Sequence, residues 1–182
     1  GGLEKEDIAD ILKRASVLEE TKTEAVAEKM DTLSLYCKSL CEKIRAGVNA
    51  DDYEKPLSGL RITVDAGNGA GGFFVENVLA PLGADTTGSQ FLEPDGYFPN
   101  HIPNPEDKKA MKAIQDAVLA NHSDLGIIFD TDVDRMSAVL PDGEAVNRDA
   151  IIAMMAAILA KDYPGGTVVT DSVTSERLTH FL

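Results

Sequence analysis

Residues 124–135 read Asp-Leu-Gly-Ile-Ile-Phe-Asp-Thr-Asp-Val-Asp-Arg, and they restrict what the chain can fold into more than any other stretch. Leu125 to Phe129 form a short apolar run of the kind that makes a strand buried on both faces. That run opens directly onto three alternating carboxylates, Asp130, Asp132 and Asp134. In an extended strand, alternate side chains point the same way but stand roughly 6.6 Å apart, whereas oxygens sharing one ion bound at ~2.1 Å lie about 3 Å from each other. A shared site therefore requires the chain to curl after Phe129. Three carboxylates curled together repel one another unless a cation sits among them, and hard divalent ions take oxygen ligands of this kind. Asp130, Asp132 and Asp134 are thus candidate metal ligands, and Arg135 offers an anion-binding fork beside them.

Other loops also begin with alternating acids. An EF-hand needs Gly at its sixth position and Glu at its twelfth, where this chain has Arg135 and Pro141. The Asp-x-Asp-x-Thr pattern of aspartyl-phosphate phosphatases fails at Asp134, although a nucleophilic carboxylate at a strand end is itself reasonable. A solvated acidic turn between two strands stays open as the plain alternative.

The surrounding pattern alternates strands and helices. Ile8, Ile11 and Leu12 predict a short helix over residues 4–14, which would close an earlier domain, followed by a polar connection over residues 21–29. A second helix is expected from Asp31 to about Gly47, with Leu33, Tyr36, Cys37, Leu40 and Ile44 as its core stripe. Residues 60–64 read as a buried strand. They lead into a glycine-rich turn, residues 67–72, a helix carrying Phe73, Phe74, Val78 and Leu79, and a second strand over residues 84–89. The turn matches Gly-x-Gly-x-x-Gly, which leaves dinucleotide binding, phosphate contact and a purely structural turn as readings. No acid closes the second strand as a ribose-binding residue should. Residues 88–105 form a long proline-bearing loop in which His101 is either a phosphate or acid–base group or a structural hydrogen-bonding one. A helix follows over residues 107–121, with Lys108, Lys109 and Lys112 on its solvated side.

Beyond the acidic loop, residues 136–140 and 145–146 predict a hairpin. A helix capped by Asn147 and running to Lys161 is expected to bury its Met and Ile stripe, and a fresh strand is expected at residues 167–170 with a helix after it. The whole predicts an α/β fold: a three-layer sandwich with a mixed, mainly parallel sheet and an antiparallel hairpin edge.

Length and charge set outer limits. The 182 residues, 43% of them hydrophobic, suffice for one good-sized domain with additional pieces. A net charge of -14 argues against nucleic acid or an anionic membrane as partner and leads to the expectation of a cytoplasmic protein. Cys37 and Cys41 have no second Cys or His pair, so partly buried thiols are expected rather than zinc ligands or a disulfide. No apolar run reaches the ~18 residues of a membrane span and no basic-then-apolar leader opens the chain, which starts as if cut from something longer.

Four stretches carry a family resemblance: residues 130–135; Gly67-Asn68-Gly69-Ala70-Gly71-Gly72 after a strand; Gly96-Tyr97-Phe98-Pro99-Asn100-His101 with Pro103-Asn104-Pro105-Glu106; and Asp171-Ser172-Val173-Thr174-Ser175. In this order they resemble the α-D-phosphohexomutases, on the phosphomannomutase/phosphoglucomutase branch. The resemblance implies transfer of a phosphoryl group between the 1- and 6-positions of a hexose phosphate, through a phosphorylated serine and a bisphosphorylated hexose. It implies Mg²⁺ held by Asp130, Asp132 and Asp134, with Arg135 assisting catalysis. The family's phosphoserine loop, sugar loop and phosphate clamp have no counterpart here, and no lysine stands in residues 171–175. The expected organisation is therefore residues 1–24 as the tail of a preceding domain, 25–164 as the domain with the metal loop, and 165–182 as the opening of the next. The remaining domains of the same polypeptide would be the chain's partners. A stand-alone metal-dependent phosphatase with Asp130 as nucleophile and a non-catalytic cation-binding module are the rival classes.

Overall fold

The central strand, β2 (Leu125–Phe129), forms over the residues expected, because a run of β-favouring apolar side chains is hydrogen-bonded along both edges. The computed structural model describes residues 3–19, 26–170 and 174–181. Part of the expected polar connection, together with Asp171, Ser172 and Val173, lies outside the described residues. Two compact units are present, Gly1–Asp31 and Thr32–Leu182.

The first unit contains α1 (Lys5–Ala15), whose start is tied by the Glu4 amide donating to Asp7 Oδ2 at 3.1 Å. Ile8, Ile11 and Leu12 are exposed, so α1 buries no apolar face.

In the second unit β1 (Ile62–Asp65) pairs parallel with β2, from Ile62 opposite Leu125 to Asp65 opposite Ile128. On its other side β2 pairs antiparallel with β3 (Met136–Val139), and Ala145 bridges Val139 to complete the hairpin edge. The sheet is thus mixed. The strand expected at residues 84–89 is reduced to two parallel bridges, Arg61 to Asp85 and Asp65 to Gln90. Between them the Val64 amide donates to the Ser89 hydroxyl at 3.0 Å, so a side chain stands in for the carbonyl that would continue the ladder. Asp85 fastens this edge. The Thr87 side chain and amide, then the Arg61 guanidinium, hold its carboxyl at about 2.

Helices cover both faces. On one side α3 (Lys108–Asn121) places Ala110, Ile114 and Val118 on Ile128 and Val139. The fit leaves no room at Gly126, where a Cβ would stand 2.4 Å from Val118 Cγ2. Asp107 starts this helix by accepting the Lys109 and Ala110 amides, as its position predicts. On the other side a 3-10 turn (Ala70–Gly72) and a π-type turn (Val75–Leu79) bring Val75, Val78 and Leu79 against Ile62, Val64 and Phe129. Behind them lies α2 (Thr32–Val48), which contributes Cys37 and Cys41 as buried residues outside any disulfide. Leu33 and Tyr36 of its expected stripe are exposed, although the Tyr36 ring lies 6.3 Å from that of Phe73.

Two expectations for the end of the chain are corrected. Asn147 caps α4 (Arg148–Leu159) by accepting the Asp149 amide at 2.8 Å, yet no residue of α4 is buried, and Met154, Met155, Ile158 and Leu159 are exposed. Ile151 and Ile152 of its apolar stripe are half-buried, so among the described residues the stripe is covered only in part and forms no core. Residues 167–170 form no strand, and α5 (Glu176–Phe181), in which Leu178 is buried, packs against α4. Among the described residues no helix is long and apolar enough to cross a membrane.

Candidate metal centre

β2 delivers Asp130 to the carboxyl end of the central strand, where open α/β sheets place ligands. The chain then doubles back at once. The Asp130 amide donates to the Arg135 carbonyl at 3.1 Å, and the Arg135 amide donates to Asp130 Oδ1 at 3.0 Å. This double closure curls residues 131–134 into a tight loop, as a shared site requires. Inside it Val133 adopts φ 66, a conformation that a β-branched residue accepts only when its surroundings impose it. The Val133 side chain packs against the core cluster beneath β1 and β2, which supplies the compensation.

The curl brings one carboxylate oxygen each of Asp130, Asp132 and Asp134 within 4.8 Å of one another, with Asp130 buried and the other two exposed. Oxygens bound to one ion at ~2.1 Å lie about 3 Å apart when adjacent and about 4.2 Å when opposite, so a group spanning no more than 4.8 Å is of the size one such ion could draw together. The donors are all hard oxygen and the two outer ones face solvent. The set fits a small divalent cation.

The electrostatics of the loop point the same way. Burial pushes the Asp130 carboxyl up, but the Arg135 amide, the Asp134 carboxyl and the Arg135 guanidinium outweigh it and hold Asp130 below its usual value. Asp134 is pushed up, first by its hydrogen bond with Asp130 and then by the charge of Asp132. Arg135 Nε donates to Asp130 Oδ2 at 3.0 Å and stands 3.6 Å from Asp134 Oδ1. With Asp130 buried and both its oxygens accepting from Arg135, that carboxylate is badly placed as a nucleophile, which weighs against the phosphatase alternative.

The glycine turn spends its amides from residue 67 to residue 70 inside the protein. The Gly67 amide donates to Asp65, that of Asn68 to the Phe91 carbonyl, that of Gly69 to the Ala66 carbonyl and that of Ala70 to the Thr131 carbonyl. An anion cradle needs those amides free. His101 is likewise internal: Nδ1 donates to the Ile102 carbonyl at 3.0 Å, and Nε2 lies 3.1 Å from both oxygens of buried Asp65. Asp65 also accepts from Gln90 Nε2 at 2.8 Å, which makes it the hub of the long loop. Sequence reasoning missed Asp65. A carboxylate closing an otherwise apolar strand just before the turn was the available signal. Lys109, expected in solvent, donates to the Asn100 carbonyl and anchors the same loop.

The Asn104-Pro105-Glu106 stretch reaches the acidic loop. With Arg135, Met136, Ser137 and Arg148 it lines a recess of about 260 Å³. Ser175, by contrast, donates its amide to Asp149 Oδ2 at 3.1 Å, beside α4.

Comparison with known proteins bears on the family and the fold. The profile described as phosphoglucomutase/phosphomannomutase, alpha/beta/alpha domain II, matches residues 35–143. The chain is 28% identical over 177 residues to a phosphomannomutase/phosphoglucomutase of Pseudomonas putida, covering 97% of this chain and 36% of that protein. It is 31% identical over 173 residues to a phosphoglucomutase of Neisseria meningitidis serogroup B, covering 95% of this chain and 35% of that one. The chain therefore spans about a third of the length of these relatives. A solved structure of a phosphoglucomutase/phosphomannomutase family protein from Burkholderia thailandensis superposes with a TM-score of 0.73 at 24% identity, over 98% of this chain and 37% of that chain, a likeness of fold.

Proposed function

The chain belongs to the phosphoglucomutase/phosphomannomutase family, matching its α/β/α domain II, and on that premise we propose that it supplies the Mg²⁺-binding loop of a phosphohexomutase. The reaction would interconvert hexose 1-phosphate and hexose 6-phosphate through a phosphoserine and a bisphosphorylated hexose, both outside what these residues provide. The observation that carries the reading is the convergence of Asp130, Asp132 and Asp134 at the end of the central strand.

Bound there, Mg²⁺ would neutralise charge developing on the phosphoryl oxygens in flight. Asp130, buried and fixed by the strand, would set the position of the site, while exposed Asp132 and Asp134 would complete it from the solvent side. Arg135, tethered through Nε to Asp130, would present the rest of its guanidinium toward an incoming phosphate as the contacting catalytic group. We retain residues 1–24, 25–164 and 165–182 as tail, metal-loop domain and opening of the next domain, with the remaining domains and the hexose phosphates as partners.

Calorimetric titration with MgCl₂ should show one weak site, with Kd about millimolar, since three carboxylates leave water to fill the other positions. Asp132→Asn should abolish it. Unchanged heat in Asp132→Asn would leave the loop a solvated turn. Residues 1–182 alone should form no glucose 6-phosphate from glucose 1-phosphate, because positioning both ends of the sugar supplies most of the catalysis. Turnover by this chain would overturn the assignment to a single domain of the enzyme.

A further inference from the structure

The buried Asp65–His101 pair and the glycine turn have no part in the chemistry proposed above, yet one line of contacts joins them to the acidic loop. Asp65 accepts the Gly67 amide at 2.8 Å, and His101 and Gln90 hold its remaining oxygen positions. Asn68 is gripped from the far side, its amide donating to the Phe91 carbonyl and its side-chain oxygen accepting from Asn100 Nδ2. The turn is thereby fixed on both sides. At its end the Ala70 amide donates to the Thr131 carbonyl at 2.9 Å. At Gly69 a Cβ would stand 2.7 Å from that same oxygen and 3.0 Å from Thr131 Cα.

Thr131 is the residue between Asp130 and Asp132. We propose that residues 65–70 act as a positioning brace for the metal loop, the Ala70 amide fixing the peptide that joins two of the three ligands so that both carboxylates face one ion. The inference rests on the metal reading. The loop has reason to need a brace, since Val133 is held at φ 66, a conformation a β-branched residue keeps only where its surroundings impose it. Gly69 is required because any side chain there would push the loop away from the amide that holds it.

Ala70→Pro tests this with little disturbance elsewhere. Ala70 is the first residue of a 3-10 turn, where proline's fixed φ is at home, and Gly69 before it is already extended. The change removes the N–H that donates to the Thr131 carbonyl. With MnCl₂ alone as the probe, calorimetry on the whole chain should show affinity falling by about tenfold or more, as for other groups behind the ligands that orient them, with the chain still unfolding cooperatively at a melting temperature lowered by the proline ring where an N–H was bonded. Gly69→Ala is read in the same way should the proline variant not fold. Gly88→Ala, whose Cβ would press on Asn121 far from the loop in sequence and contact, should lower stability while leaving Mn²⁺ affinity within about twofold. Wild-type affinity in Ala70→Pro or Gly69→Ala, alongside abolished binding in Asp132→Asn, overturns the brace. Equal loss in Gly88→Ala also overturns it, by making the effect one of general stability. Wild-type affinity in Asp132→Asn instead removes the metal reading beneath it.

Discussion

Arg135 binds Asp130 twice, through its amide to Oδ1 and through Nε to Oδ2, both at 3.0 Å. One residue therefore closes the loop with its backbone and neutralises the buried carboxylate with its side chain. The two roles can be separated by mutation. The amide bond survives any substitution except proline, whereas the guanidinium charge competes with a bound cation for the same carboxylate.

Arg135→Met should therefore tighten Mn²⁺ binding to this chain severalfold, a few-fold change being worth under about 1.4 kcal/mol. Within a full-length mutase the same change should depress turnover far more than folding. Calorimetry and a coupled assay check the two halves. Unaltered affinity would mean that Arg135 does not share Asp130 with the ion, and unaltered turnover would remove it from the site.

Asp134 gives the loop a pH dependence. Its pKa is raised above the unfolded value, first by the hydrogen bond to Asp130 and then by Asp132, so folding favours its protonated form. That contribution is fully present below the ordinary carboxylate pKa and is lost as pH rises through the raised value. Without divalent ions Asp134→Asn should accordingly raise the denaturation midpoint at pH 7 and lose this advantage in acid. Saturating Mn²⁺ should reverse the ranking at pH 7, because the ion binds only the wild-type set tightly. A variant no more stable than wild type at pH 7 would show that the three carboxylates do not repel in the folded chain.

The contrast between what these residues announced and what they concealed has physical causes. β2 and its three acids were legible because a buried strand and a carboxylate cluster each need a special composition, and the two abut. Val133 gave no warning. Valine avoids positive φ, so the residue that most sharply bends the loop looks, in sequence, like a strand residue. The 84–89 strand was misjudged for the opposite reason, since Ser89 supplies a ladder bond from its side chain and period alone does not register that. The stripe on α4 states that Met155 and Leu159 want covering but not whether this chain does so. Asp65 reads as the end of a strand, and only its contacts reveal a hub.

That hub can be measured. Asp65 and His101 are both buried, and breaking one side of such a pair leaves a carboxylate in the interior with part of its solvation missing. His101→Leu should destabilise the protein by about 1–3 kcal/mol, since it leaves a buried carboxylate short of a hydrogen-bond partner. Asp65→Asn in the His101→Leu background should recover at least ~1 kcal/mol, because it removes the stranded charge while its amide oxygen still accepts the Gly67 amide. Gln90 can turn its own amide to accept from the new side chain, so the edge contact survives the exchange. Chemical denaturation of the three variants measures the cycle. A double variant less stable than His101→Leu alone would show that Asp65 is held mainly by Gly67 and Gln90, leaving His101 as packing beside Phe91, whose ring lies 5.4 Å away.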